Sequence, residues 1–247
     1  MSKKKSKNSN YKANNTINTT AEDKKKNRII TIVCLSIVGA IALGALGFSL
    51  LATNDGNAEK LGTGACALLE TRDISGREIS YVEFTIKDHG RFIVLVDATT
   101  APQTVANFLG LVRDGFYDGL TIFRAQEGFV IQGGKNDSVN LAPITGEFSS
   151  NGHANDISHI RGVISMARTN DPNSATSQFF ITLHDDAKHS LDGNYASFGY
   201  VVQGMSVVDE VAKTLLNAPS SGYMGFVGDA DAITIVSAKI LDGYTPN

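Results

Sequence analysis

Cysteine is scarce in this chain, whose 247 residues contain only Cys34 and Cys66. Cys34 lies inside a long apolar run and Cys66 beyond it, settings that oppose the short Cα separation a bridge needs. No disulfide framework is expected, and residues 79–243 hold no cysteine. Neither cysteine sits in a convincing lipoprotein site, since bulky Ile32 and Val33 precede Cys34 and Cys66 lies well past the run, so a cleaved lipid anchor is disfavoured. Signatures of nucleophilic catalysis are also missing: there is no G-x-S-x-G turn, and Ser177 is expected in mid-strand without a strained elbow to present its hydroxyl. His184, Asp185, Asp186 and His189 lack the i, i+4 histidine pair and glutamate base of the common zinc motif, so they read as an exposed polar turn, not metal ligands. No glycine-rich loop follows a strand and opens a helix, which leaves a nucleotide cofactor unsupported.

A net positive balance is missing from all of the chain but its first residues. Residues 1–28 carry nine Lys or Arg against Glu22 and Asp23, whereas the remainder has thirteen basic and twenty-three acidic residues. An acidic body argues against nucleic acid, whose phosphates select a basic face. The tail 1–28 has almost nothing to bury and is expected to be disordered. From Ile29 to Asn54 there is no charged residue. That exceeds the ~20 residues a bilayer-crossing helix needs and the ~7–15 of a cleaved signal core. The run leaves through Leu50-Leu51-Ala52 without a clean small-x-small site, so a retained single-pass signal anchor over 29–54 is favoured over a cleaved peptide, and nine basic minus two acidic residues put +7 before it. By the positive-inside rule the N-terminus would be cytoplasmic and everything after Asp55 would lie outside the cell membrane. Residues 55–78 mix Gly, Asn, Asp and small side chains and are expected to be a linker, with Leu68-Leu69 docking on the domain.

The rest reads as one medium domain over 79–243, a size that buries roughly 70% of its unfolded surface and needs no staples. Tyr81 to Lys87 alternates apolar and polar as a half-buried strand, and Asp88-His89-Gly90 turns it into a second, Phe92 to Val96. Ala101-Pro102 opens a helix with proline in the first turn. Val105, Phe108, Leu109 and Val112 form its buried stripe, and Gly115 ends it. In the stretch Tyr117 to Gly134, turns at Asp118-Gly119 and Glu127-Gly128 bracket Arg124, a lone cation among apolar neighbours. In the run Phe129-Val130-Ile131-Gln132, alternation puts Phe129 with Ile131 on one face and Val130 with Gln132 on the other. Lys135 to Ile160 is expected to be a long surface loop, and 162–168 and 177–183 to be strands. A second helix buries Val208, Val211, Ala212 and Leu215, with Ser206 as N-cap and Asp209 as its imperfect capping-box partner. Ile233 to Ala238 adds a last strand. Two helices among many short strands predict a mainly β fold, a closed antiparallel barrel.

Five motifs recur in order: GF-x-x-QGG at 128–134, SMA at 165–167, SQFFI at 177–181, LDG at 191–193 and FG at 198–199. Together they resemble the cyclophilin peptidyl-prolyl isomerases, over roughly Ile79 to Gly243. The resemblance implies a cyclophilin-like barrel that isomerises X-Pro bonds in polypeptides, with no cofactor and no metal. By motif position it implies that Arg124 is the catalytic cation and that Phe129, Val130, Phe180 and Leu191 hold the proline ring. Gln132 and Gln178 would line the peptide groove, with Ala167 and Arg168 beside the bound backbone. Phe179 reads as barrel core, because it points opposite to Phe180 on the same strand. The chain departs from the family pattern at several places. Ile122-Phe123 replaces a frequent Phe-His, Glu127 a frequent proline and Arg168 the usual Asn, in a segment one residue longer than common. Tyr195, a further groove residue, stands where many members have His, and Ser190 where the best-known eukaryotic members have Trp. These changes resemble bacterial branches. The expected protein is a membrane-anchored monomer that assists folding of exported or surface proteins. Its rivals are a non-catalytic holding chaperone of the same fold and, more weakly, a surface adhesion scaffold.

Overall fold

The computed structural model describes residues 60–64, 66 and 72–246. The basic tail, the run expected to span a membrane, the start of the linker and Leu68-Leu69 lie outside the described residues. Among the described residues no helix is long and apolar enough to cross a membrane. The strands are β1 (Ile79–Ile86), β2 (Gly90–Asp97), β3 (Thr121–Gln126), β4 (Val130–Gly133), β5 (Val163–Met166), β6 (Phe179–Thr182), β7 (Ser197–Gln203) and β8 (Ile233–Ile240). Between them lie α1 (Pro102–Arg113), α2 (Lys188–Leu191) and α3 (Met205–Leu216). The sheet is antiparallel and closes on itself in the order β1-β2-β7-β5-β6-β4-β3-β8, which leaves no open edge.

Alternation along the strands builds the interior. Val82, Phe84 and Ile86 of β1 are fully buried, and Phe84 lies opposite Phe92 of β2 with the rings stacked 5.1 Å apart. Phe108 of α1, Tyr117, Phe179 and Phe198 join them in one core. β7 approaches β2 so closely at Gly199 that a Cβ there would lie 2.0 Å from the Leu95 carbonyl oxygen, so only glycine fits.

Several expectations need correction. α2 is a third helix, a single turn continuing a 3-10 turn at Asp185–Ala187, where a polar turn was expected. His184 caps that turn, its Nδ1 accepting from the Asp186 N–H at 3.2 Å. β6 begins only at Phe179. Ser177 therefore precedes the strand, is buried, and donates to the Gly134 carbonyl at 2.8 Å. In α1 the core takes Leu111, while Leu109 is only half-buried. α3 begins after Gly204 at φ 85°, with no side-chain cap. Ser206 lies within it, its Oγ accepting from Thr63 N–H at 2.7 Å, and Asp209 accepts from Arg161 at 2.7 Å.

The long loop 135–160 is not merely superficial, because it buries Glu147, Phe148, Ile157 and His159. Glu147 accepts from the free N–H groups of Gln103 (3.0 Å) and Thr104 (2.8 Å), capping α1 from 43 residues away. A carboxylate at a helix N-terminus also meets the positive end of its dipole. Part of the stretch expected as a linker is laid on the barrel. Arg91 N–H donates to the Lys60 carbonyl (3.0 Å), Gly62 N–H to the Arg91 carbonyl (2.9 Å) and Cys66 N–H to the Val201 carbonyl (2.8 Å). Described residues from Lys60 onward, ahead of Ile79, are thus hydrogen-bonded to the barrel. Arg77 is tied in as well, donating to buried Asp97 at 2.6 Å.

Candidate active site

Arg124 owes its outward position to an irregularity. The pairing of β3 with β4 shifts register between Ile122 and Arg124, and such a bulge re-aims the side chains that follow. Ile122 and Ala125 are both buried, whereas Arg124 between them is half-exposed. In unbroken alternation Arg124 would share the core face with Ile122.

Register then lines up a row across neighbouring strands. Phe180 on β6 lies opposite Gln132 on β4, Gln132 opposite Arg124 on β3, and Arg124 bridges to Phe226 in the loop before β8. Arg124 Nη1 donates to Gln132 Oε1 (2.9 Å), Nη2 to Gln126 Oε1 (2.8 Å) and Nε to the Met224 carbonyl (2.9 Å). Gln132 passes its own N–H to Gln178 Oε1 at 3.0 Å. Burial pushes the Arg124 guanidinium below its ordinary value, opposed by Tyr195, but an arginine stays protonated. All three partners are neutral acceptors, so its charge is not cancelled locally.

Beside the cation lies a small apolar cluster separate from the barrel core: Val130, Phe180, Ala187 and Leu191, with Phe129, Ala167 and Tyr195 packed against it. Phe129 belongs here, and not on the face of Ile131. It still lies in the turn, and the alternating geometry starts only at Val130. Ala187 was not foreseen. Phe179 points the other way, into the core. The Arg168 side chain is folded back onto its neighbours. Its guanidinium lies over the rings of Tyr195 (4.6 Å) and Phe148 (5.2 Å) and donates to the Asn194 carbonyl at 2.9 Å.

Behind Phe180 runs a hydrogen-bonded chain that no motif or spacing in the sequence announces as a whole. The His159 ring stacks on Phe180 at 5.9 Å, its Nδ1 meets Asp192 Oδ1 at 2.8 Å and its Nε2 meets Ser165 Oγ at 3.0 Å. An ionised carboxylate only accepts, so Nδ1 carries the proton and Nε2 accepts from the serine hydroxyl. Burial pushes the imidazole below its ordinary value, against the pull of Asp192. Burial raises the Asp192 carboxyl, but hydrogen bonds from Ser158 and His159 outweigh this and hold it below its ordinary value. Despite its Ser-His-Asp composition the chain is not a nucleophile site, because Ser165 is fully buried and no substrate carbonyl can approach it. The sequence signal was there in part, since Asp192 belongs to the LDG motif. Nothing in the residue spacing pointed to the Met224 carbonyl or to Phe226.

The family model for the cyclophilin type peptidyl-prolyl cis-trans isomerases matches residues 81–238. The peptidyl-prolyl cis-trans isomerase cyp18 of Streptomyces antibioticus is 40% identical over 163 residues, covering 62% of this chain and 93% of that protein. Peptidyl-prolyl cis-trans isomerase B of Escherichia coli K12 is 39% identical over 130 residues, covering 50% of this chain and 79% of its own. A crystal structure of a cyclophilin type isomerase of Cryptosporidium parvum, obtained in the presence of the dipeptide Ala-Pro, superposes with a TM-score of 0.55 at 24% identity, over 66% of this chain and 99% of that one. That likeness speaks for the fold, and the family model and the curated relatives for the chemistry. The chain belongs to the cyclophilin-type peptidyl-prolyl cis-trans isomerases.

Proposed function

We propose that Arg124 is the catalytic group, that the cluster of Phe129, Val130, Phe180 and Leu191 holds the proline ring, and that the substrates are exported or surface polypeptides met outside the membrane. The barrier to isomerisation is the partial double bond of the amide, ~18–20 kcal/mol for ordinary peptide bonds. Twisting that bond localises the lone pair on the prolyl nitrogen, which then accepts a hydrogen bond that the planar amide accepts poorly. A fixed cation beside the nitrogen therefore binds the twisted form selectively. The observation that carries this reading is the setting of Arg124. Three of its five N–H groups hold neutral acceptors, which fixes the fork, while two remain for a ligand and no carboxylate among the described residues neutralises it.

Gln132 and Gln178, joined by one hydrogen bond, would line the peptide path, with Ala167, Tyr195 and the backbone of Arg168 on its far flank. Arg168 fits this role through its backbone, because its side chain is folded back over Tyr195. The extracytoplasmic assignment is supported by the basic tail, the uncharged run 29–54 and the acidic remainder. Cis/trans exchange of a short X-Pro peptide, measured with the fragment from about Asp55 onward, tests the activity, and a holding chaperone would bind without accelerating exchange. Protease added to intact cells tests the location: the domain should be degraded and the N-terminal tail spared. A soluble mature domain beginning near Thr53 would show cleavage instead of an anchor.

A further inference from the structure

Tyr223, Met224 and Phe226 are three of the five exposed large apolar side chains among the described residues, at 87%, 47% and 44% exposure. All three sit in the short loop that holds Arg124. Exposed apolar groups scattered singly need no explanation, but a contiguous group beside a site marks an interaction surface. This loop is also pinned. Gly222 N–H donates to the Phe226 carbonyl (2.9 Å), Gly225 N–H to the Gly222 carbonyl (3.0 Å) and Val227 N–H to the Phe123 carbonyl (3.0 Å). Gly225, at φ 78°, passes so close to β3 that a Cβ would fall 1.8 Å from the Ala125 carbonyl oxygen. Phe226 stacks on Phe123 at 6.1 Å and lies under the Arg124 guanidinium at 5.1 Å. Met224 holds the left-handed conformation, φ 57°, which a side chain adopts only at a cost. In that conformation its carbonyl meets Arg124 Nε while the residue stays exposed.

We infer that Tyr223, Met224 and Phe226 form an apolar subsite for the substrate polypeptide itself, on the flank of Arg124 away from Ala167 and Arg168. The subsite selects chains carrying an apolar or aromatic residue two to four positions from the proline. The inference rests on the reading of Arg124 and its apolar cluster as the prolyl site. Continuity carries it, because Phe180, Gln132, Arg124 and Phe226 form one register-matched row. Strands lie about 4.8 Å apart, so Phe226 stands roughly 14 Å from Phe180, and an extended peptide advances about 3.3 Å per residue. A chain with its proline at Phe180 thus reaches the loop within a few residues. Because hydrogen bonds already order the loop, binding costs it little conformational freedom. Residues 217–228 themselves carry no charge and expose Tyr223, Met224 and Phe226, which favours an apolar side chain as the occupant.

The test compares kcat/KM for a minimal X-Pro peptide with that for longer peptides bearing Phe or Ser at each of the second to fourth positions on either side of the proline. Wild-type protein should favour Phe over Ser on one side only, by roughly three- to tenfold, below the tenfold or more that a methylene decides in a closed pocket. In Tyr223→Ser and Met224→Asn the Phe/Ser ratio should fall toward one. Asn tolerates the left-handed backbone at this position, so the carbonyl that holds Arg124 is kept. A ratio taken within one protein cancels any change at Arg124. If wild-type protein turns over the minimal peptide without a flank preference, or the preference survives both substitutions, the subsite is wrong. If wild-type protein is inert even on the minimal peptide, the prolyl-site reading fails and takes the subsite with it.

Discussion

Replacing Arg124 separates the chemistry of this site from its binding. Arg124→Ala removes three hydrogen bonds of 2.8–2.9 Å, but the vacated acceptors are half-exposed and water can replace the guanidinium. The stability cost should therefore stay within about 1–3 kcal/mol, and the variant should fold. Loss of an electrostatic group that acts mainly on the twisted amide costs roughly 2.7–4 kcal/mol, a hundredfold to thousandfold in rate. In the proposed role the planar amide gains little from Arg124, so kcat and kcat/KM should drop together while peptide affinity holds. Arg124→Lys keeps the charge, yet one ammonium cannot span Gln126, Gln132 and the Met224 carbonyl as a rigid fork. It should recover only a small part of the rate. Phe180→Ala is the contrast: a wall of the apolar cluster binds planar and twisted peptide alike, so its loss should raise KM, and it risks ~3–5 kcal/mol of stability because Phe180 is buried. The assay is peptide exchange on variants first shown folded by thermal melts. A folded Arg124→Ala protein with wild-type kcat would make the arginine structural. One that loses only affinity would sink the twisted-amide argument even if isomerisation survives.

Glu147→Ala should cost about 2–3 kcal/mol in urea unfolding, because it strips a buried carboxylate from two helix N–H groups that then lack a partner; an unchanged midpoint would show water taking its place. His159 folds with its pKa depressed, so the unfolded chain binds its proton more readily, and wild-type stability should fall as pH drops below about 6.5. His159→Gln should shrink the stability difference between pH 7.5 and pH 5.5, and a wild-type protein more stable at the lower pH would refute the sign. Exposed Ser190 on α2 stands where the resemblance places a tryptophan that packs on cyclosporin; losing such a contact costs on the order of 2 kcal/mol. Inhibition should be weak and Ser190→Trp should strengthen it, whereas tight inhibition of the wild type would contradict this.

What the sequence made legible was whatever repeats at the period of an element or recurs as a motif. The stripe of α1, the β1–β2 hairpin and the grouping of Val130, Phe180 and Leu191 all have that character. Strand alternation alone places Phe129 on the wrong face, because a strand's period says nothing of where its turn ends. Ser206 and Asp209 looked like a capping pair by spacing, but their partners are Thr63 and Arg161, far away in the chain. Glu147 and His159 sat in a polar stretch with no period to announce them. The Met224 carbonyl was illegible for a more basic reason: every residue has a carbonyl, and only the fold of the loop aims this one at Arg124.

The stitching of residues 60–66 onto the barrel has a mechanical consequence. Lys60 and Gly62 grip both backbone groups of Arg91, Thr63 holds Ser206, and Cys66 holds Val201. Tension entering from the N-terminal side is borne first by this short clasp, at the start of β2, at β7 and at the first turn of α3. Arg124, Gln132 and Phe180 sit on β3, β4 and β6, none of which the clasp touches. The clasp can therefore peel as a fuse before the load reaches the strands that carry these three residues.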